Sequence, residues 1–184
     1  MKRLLICTGL LFVATAVFAQ TPAPKPPPKS PPATETATIA GKTISITYSS
    51  PGVKGREGKL FSKDGQIGKD PQYPIWRAGA NAATTLKTDG NLNIGGLAVP
   101  AGTYTLFVDI SDPDNWSLIV NKKTGEWGLA YDATQDLGKV KFPTSATPAL
   151  VENLKYTLTD RGGGKGSLTL AWETKSATVN FTVK

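Results

Sequence analysis

Apolar and polar residues alternate with a period of two along most of the chain. In "TISITYS", Ile44, Ile46 and Tyr48 fall on one side and Thr43, Ser45 and Thr47 on the other. The apolar set of "TYTLFVDI" is Tyr104, Leu106, Val108 and Ile110, and that of "NWSLIVN" is Trp116, Leu118 and Val120. "LKYTLTD" supplies Leu154, Tyr156 and Leu158, and "SLTLAWE" supplies Leu168, Leu170 and Trp172. "ATVNFTVK" supplies Ala177, Val179, Phe181 and Val183. Successive strand side chains point to opposite faces, so this period predicts strands buried on one face. Threonine and serine provide most of the polar partners and suit a pleated outer surface. No window carries a 3.6-residue period of useful length, and "PALVENLK" allows one helical turn at most.

Turn residues punctuate these runs. Asp89-Gly90 lies between "TTLKT" and "NLNI" and predicts a hairpin. Asp112-Pro113-Asp114-Asn115 and the glycine-rich stretch Arg161 to Gly166 separate further pairs of runs, and Asn121 to Gly125 ends another. The pattern predicts an all-β fold of eight or nine short antiparallel strands. The simplest arrangement is an antiparallel β-sandwich, jelly-roll or immunoglobulin-like, with a closed β-barrel as the alternative. The stretch from Pro51 to Ile75 alternates weakly and is too long for an ordinary connection. It is expected to lie over one end or edge of the sandwich, where loops often carry function.

The N-terminus adds an address. Met1-Lys2-Arg3 precedes an apolar run from Leu4 to Phe18, and Val17-Phe18-Ala19 suits cleavage after Ala19. Residues 1–19 therefore read as a signal peptide, too short to span ~30 Å of hydrocarbon comfortably, and the mature domain is expected to be periplasmic or secreted. Residues 20–33 are proline-rich and read as an extended, disordered tether, either a spacer or a leader remnant. Residues 34–184 are left for a single domain, with no membrane span once the leader is gone. The chain's net charge of +7 includes Lys2 and Arg3 of the leader, and the remaining lysines are scattered. That balance favours solubility and weak attraction to anionic surfaces rather than a nucleic-acid footprint.

Composition excludes more chemistry than it suggests. The single cysteine, Cys7, lies in the leader, and there is no histidine. Thiol nucleophiles, disulfides, Ser-His-Asp catalysis and imidazole-based zinc sites all fall away, and no cofactor or metal is expected. "RGGGKGS" lacks the spacing of a phosphate loop and reads as a turn. Asp109, Asp112 and Asp114 do not match a calcium loop. Trp116 and Trp172 fall in register with core positions, whereas Trp76 and Trp127 lie at element ends, where exposure and sugar stacking remain open. The fourteen acids form no evident pair for glycoside hydrolysis.

The arginines carry the remaining interest. Arg56 and Arg77 each flank glycine-rich irregular chain. A guanidinium is a five-donor fork that binds carboxylates, phosphates or backbone carbonyls. The two arginines either form an anion site or tie the long loop down through carbonyls, Glu57 and Asp70. The site reading groups Arg56 and Arg77 with Asn81, Trp76, Tyr48 and Tyr104. The arginines would fork onto an anionic or polyol ligand, Asn81 would add a donor and acceptor, and Trp76 a stacking face.

Several motifs recur in order: Tyr48-x-x-Pro51-x-x-x-Gly55-Arg56, Trp76-Arg77-x-Gly79-Ala80-Asn81, Pro100-Ala101-Gly102-Thr103-Tyr104, Trp127-Gly128 and Tyr131-Asp132. Together they resemble a bacterial secreted family of domains of unknown function, family 2911, over about Lys42 to Val183. The resemblance implies a leader and an all-β domain, and brings no reaction with it. The expected function is a non-catalytic binding or envelope-associated module. Its partner would be a small anionic or carbohydrate ligand or an envelope protein. The alternatives are a histidine-free enzyme using a carboxylate and an arginine, and a structural partner domain.

Overall fold

The computed structural model describes residues 29–184. The signal peptide expected over residues 1–19 and most of the tether lie outside the described residues.

Ten strands form: β1 (Pro32–Ile39), β2 (Lys42–Ser49), β3 (Ile75–Trp76), β4 (Thr84–Thr88), β5 (Leu92–Ile94), β6 (Leu97–Val99), β7 (Gly102–Asp109), β8 (Asn115–Asn121), β9 (Asp136–Gly162) and β10 (Lys165–Val183). They pair antiparallel in the order β1-β2-β4-β7-β8-β9-β10-β5-β6, with β3 beside the end of β7. The path is open, because β1 and β6 end it without pairing to each other. The fold is thus sandwich-like rather than a closed barrel. β1 begins at Pro32, so the last two residues of the segment read as tether belong to a strand.

β9 joins the two sheets. Its 27 residues pair with β8 through Asp136–Pro143 and with β10 through Thr144–Gly162. "PALVENLK" is strand, part of this ribbon, not a helical turn. The two runs "SLTLAWE" and "ATVNFTVK" are one strand, β10. Their inward positions change from even to odd numbers between Trp172 and Ala177. A continuous strand makes that change by inserting a residue. Glu173 sits at the irregularity, with register shifts on both sides and φ of 58°.

The hairpin expected at Asp89-Gly90 does not form. Both edges of β4 are already taken by β2 and β7, while β5 pairs with β10 and β6. Asp89-Gly90 instead carries the chain from one sheet to the other. Asp89 Oδ1 accepts from Thr43 N at 2.7 Å, and a Cβ on Gly90 would stand 2.6 Å from Lys42 Cγ. The tight turn is real, but strand availability decides its partners.

The core lies between the sheets. Ile44, Ile46, Leu106, Val108, Trp116 and Leu118 from one face meet Tyr156, Leu168, Leu170, Trp172, Val179 and Phe181 from the other. Phe107, Ile119 and Ala83 form a second cluster on the opposite face, under Tyr131.

Candidate functional site

The chain from Pro51 onward leaves the sheet after an isolated bridge between Gly52 and Asn153. Val53 N donates to Glu152 O at 2.8 Å and Lys54 N to Glu152 Oε1 at 3.0 Å. Lys54 and Gly55 then take φ of 53° and 69°, which turns the chain back. This reversal lets Arg56 reach the carbonyls just behind it. Nε donates to Val53 O at 2.8 Å and Nη2 to Gly52 O at 2.6 Å. The loop is fastened by its own apolar residues: Val53, Leu60 and Ile67 are buried. The Phe61 ring packs against Trp76, Trp116 and Trp172, with ring centres 5.0–5.9 Å away. Gly58 N donates to the buried carboxylate of Glu173, which anchors the loop tip to the β10 bulge.

A 3-10 turn, Ile67–Lys69, ends at Asp70. Arg77 Nη2 donates to both oxygens of Asp70, at 2.9 and 2.8 Å, and Nη1 donates to Asn81 O at 3.3 Å. The turn after Arg77 is held from below. Tyr156 Oη and Thr84 Oγ1 both donate to Ala78 O, and Trp76 Nε1 donates to Gly79 O. Burial pushes the Tyr156 phenol above its ordinary pKa, so this donor stays protonated even in alkaline solution. Ala78 and Asn81 take φ of 52° and 60°, which folds the turn tightly. Gly128 completes the seat: a Cβ there would stand 2.3 Å from Arg77 Cδ and 2.6 Å from Asn81 O.

These segments line an open cavity of about 360 Å³. Arg56, Arg77, Lys54 and Lys29 line it, against a single carboxylate, Asp70, already paired with Arg77. Asn81 and Gln66 add amide groups. Trp76 and Trp172 form its aromatic wall, and the indole N–H of Trp172 has no hydrogen-bond acceptor among the described residues.

Four of the six residues grouped from the sequence therefore share one concavity: Arg56, Arg77, Asn81 and Trp76. Tyr48 and Tyr104 do not line it. The Tyr48 ring meets Tyr156 in the core and its hydroxyl accepts from Tyr156 N, while Tyr104 Oη donates to Pro100 O. Trp76 offers no stacking face, contrary to expectation. It is 2% exposed, and its ring stacks on Trp172 at 5.9 Å and 19°. Trp127, at 59%, is the exposed tryptophan. Glu57 does not line the cavity either. Lys29, Lys54 and Trp172 were not legible as site residues. Lys29 stands in a low-complexity run, and a missing partner for Trp172 has no sequence signature.

Elsewhere the acids serve turns and strands. Asp112 accepts from Asp114 N and Asn115 N, and Asp109 pairs with Lys139. Among the described residues no group of three or more acidic, histidine or cysteine side chains is placed to hold a metal.

The family model for a protein of unknown function, DUF2911, matches residues 30–181. The chain belongs to the DUF2911 family. No curated protein and no solved structure matches this DUF2911 chain. The matched span takes in both arginines, the Trp76–Asn81 turn and Trp127-Gly128.

Proposed function

We propose that this DUF2911 domain is a non-catalytic binding module that takes a small anion in the Arg56–Arg77 cavity. It would act in the periplasm or outside the cell, after removal of residues 1–19. The observation that carries this reading is the charge of one open recess, lined by four basic residues and one carboxylate that is already paired. Field lines concentrate in such a recess, and guanidinium groups bind oxyanions through directed hydrogen bonds. Cavities that take small ligands start near ~300 Å³, so the size fits a compact ligand.

Arg56 also holds the loop, and this supports the reading. Its guanidinium, fixed by the carbonyls of Val53 and Gly52, is preorganised without a competing charge, so less entropy is lost when it meets a ligand. Catalysis by a carboxylate and an arginine finds little support, because both oxygens of Asp70 are engaged by Arg77. The polyol alternative is weaker without an exposed aromatic face.

Calorimetric titration with sodium sulfate and trisodium citrate at constant ionic strength tests the proposal. Saturable binding is expected in the wild type, weakened in Lys54→Gln and Arg56→Gln and unchanged in Lys155→Gln, which alters an exposed lysine outside the cavity. Equal binding by all four proteins would remove the cavity from consideration.

A further inference from the structure

The bulge in β10 puts a carboxylate where a regular strand would not. Trp172 faces inward, so on a regular strand Glu173 would face solvent. The bulge, with φ of 58° at Glu173, buries both, each 3% exposed. Glu173 Oε1 accepts from Gly58 N, a neutral donor. Oε2 accepts no hydrogen bond among the described residues, yet it is not sealed off from solvent. The one fully enclosed side-chain polar atom without a partner there is Trp172 Nε1. No lysine or arginine among the described residues stands within ion-pair distance of Glu173. Lys175, two residues on, instead donates through Nζ to Pro113 O at 2.7 Å and lies 4.0 Å from Asp114 Oδ1.

Glu173 lines a half-open pocket of about 290 Å³, which shares no lining residue with the Arg56–Arg77 cavity. We propose that this second pocket binds a small organic ammonium, a primary amine on a short apolar stem, with the open oxygen of Glu173 as its charge partner. Buried charges are paired in folded proteins, because an isolated carboxylate loses its water without replacement. One backbone N–H replaces only part of that hydration. An ammonium group supplies both N–H donors and the opposite charge. The rest of the lining suits an organic cation better than a metal ion. Phe61, Ile110, Pro113 and Trp116 contribute apolar surface for a stem, and Ser62 and Thr174 carry hydroxyls able to accept further N–H groups. Calcium or magnesium takes about six or more oxygen ligands, and Glu173 is the only carboxylate lining the pocket. The volume, close to the ~300 Å³ at which ligand sites begin, fits a compact amine.

The test is a backbone amide shift titration of the full domain with n-butylammonium chloride near neutral pH, with ionic strength held by sodium chloride. n-Butanol, of similar shape and no charge, is titrated separately. The expected result is saturable shifts around Gly58, Ser62 and Thr174 with butylammonium, and binding of butanol roughly tenfold or more weaker. Glu173→Gln keeps the shape and an acceptor for Gly58 N, and should weaken butylammonium by roughly tenfold or more. Lys175→Gln removes the nearest like charge lining the pocket and should tighten it about two- to fivefold. If Glu173→Gln does not fold, the comparison of butylammonium with butanol in the wild type, together with Lys175→Gln, decides the matter. A role for Glu173 confined to holding the loop predicts no preference for the charged probe. Equal binding of the two probes therefore overturns the proposal. So do the absence of saturable shifts, shifts confined to other parts of the domain, and unchanged affinity in a folded Glu173→Gln.

Discussion

Arg77 Nη2 donates to both carboxylate oxygens of Asp70, and the two residues line the same cavity. Asp70 thus occupies a guanidinium that an incoming anion needs. Their side chains are 12% and 19% exposed, so the pair is only partly screened by water. Removing the negative charge while keeping the shape separates the two roles of the pair.

Asp70→Asn is expected to raise the affinity for sulfate about three- to tenfold, since the nearest repelling charge is gone. The same change should lower the stability of the fold by about 1–2 kcal/mol, because Arg77 loses its counter-charge. Titration and denaturant unfolding measure the two effects. A fall in affinity would mean that Asp70 chiefly positions Arg77 for the ligand.

The strands were legible because one face of each is buried. Ile44, Ile46 and Tyr48 keep the period of two that burial imposes, and so do Leu168, Leu170 and Trp172. The breaks in that period were less legible. The even-to-odd change around Glu173 reads as a gap between two strands, yet a bulge preserves one strand. β1, β3 and β6 alternate too weakly or are too short to stand out, and β3 is only two residues long. Phe107 and Ile119 sit at polar-side positions, and their burial comes from the tertiary covering by Ile75 and Tyr131. For the site, Arg56 and Arg77 were visible as rare residues beside glycines. Asp70 was legible as a candidate tie for them, whereas Lys29 and Trp172 join the cavity through long-range packing, which local pattern does not encode.

Trp76 and Trp127 should respond oppositely to truncation. Trp76→Ala removes a ring packed against Phe61, Trp116 and Trp172 and is expected to cost about 3–5 kcal/mol. Trp127→Ala removes an exposed ring and should stay within about 0.5 kcal/mol of wild type. Chemical denaturation compares them. Similar costs would contradict the burial assigned to Trp76.

Gly128→Ala places a methyl group where Arg77 Cδ and Asn81 O already stand. The expected outcome is a loss of about 1–3 kcal/mol and weaker sulfate binding, because the Arg77 stem must move. Unchanged melting and unchanged binding together would show that the seat is looser than its geometry implies.

Stability should form a broad plateau in pH. With no histidine, no side chain of ordinary pKa titrates between about pH 5 and 8. Burial pushes Asp109 upward, but hydrogen bonds from Lys139 and Ser111 outweigh it and hold its carboxyl below the usual 3.8. Bonds from Asp114 and Asn115 lower Asp112 likewise. A lowered folded pKa means that the unfolded chain binds protons first as pH falls. These groups therefore contribute stability above about pH 4 that is lost on further acidification. Tyr131 is pushed up from 10.0, first by burial and then by its hydrogen bond to Asp136, and burial raises Tyr156 also. Their contribution is complete below about pH 10 and is lost above it. Melting temperature across pH checks both limbs, and Asp109→Asn should flatten the acid one. A steep change near neutrality would contradict this assignment.

The most direct test of the anion cavity is a backbone amide shift map of the wild-type domain during titration with sodium sulfate at fixed ionic strength. The account predicts saturable shifts confined to the Gly52–Arg56 reversal, the chain around Asp70 and the Trp76–Asn81 turn, all fitting one dissociation constant. Weak, non-saturating shifts scattered over exposed lysines such as Lys87, Lys141 and Lys155 would contradict it.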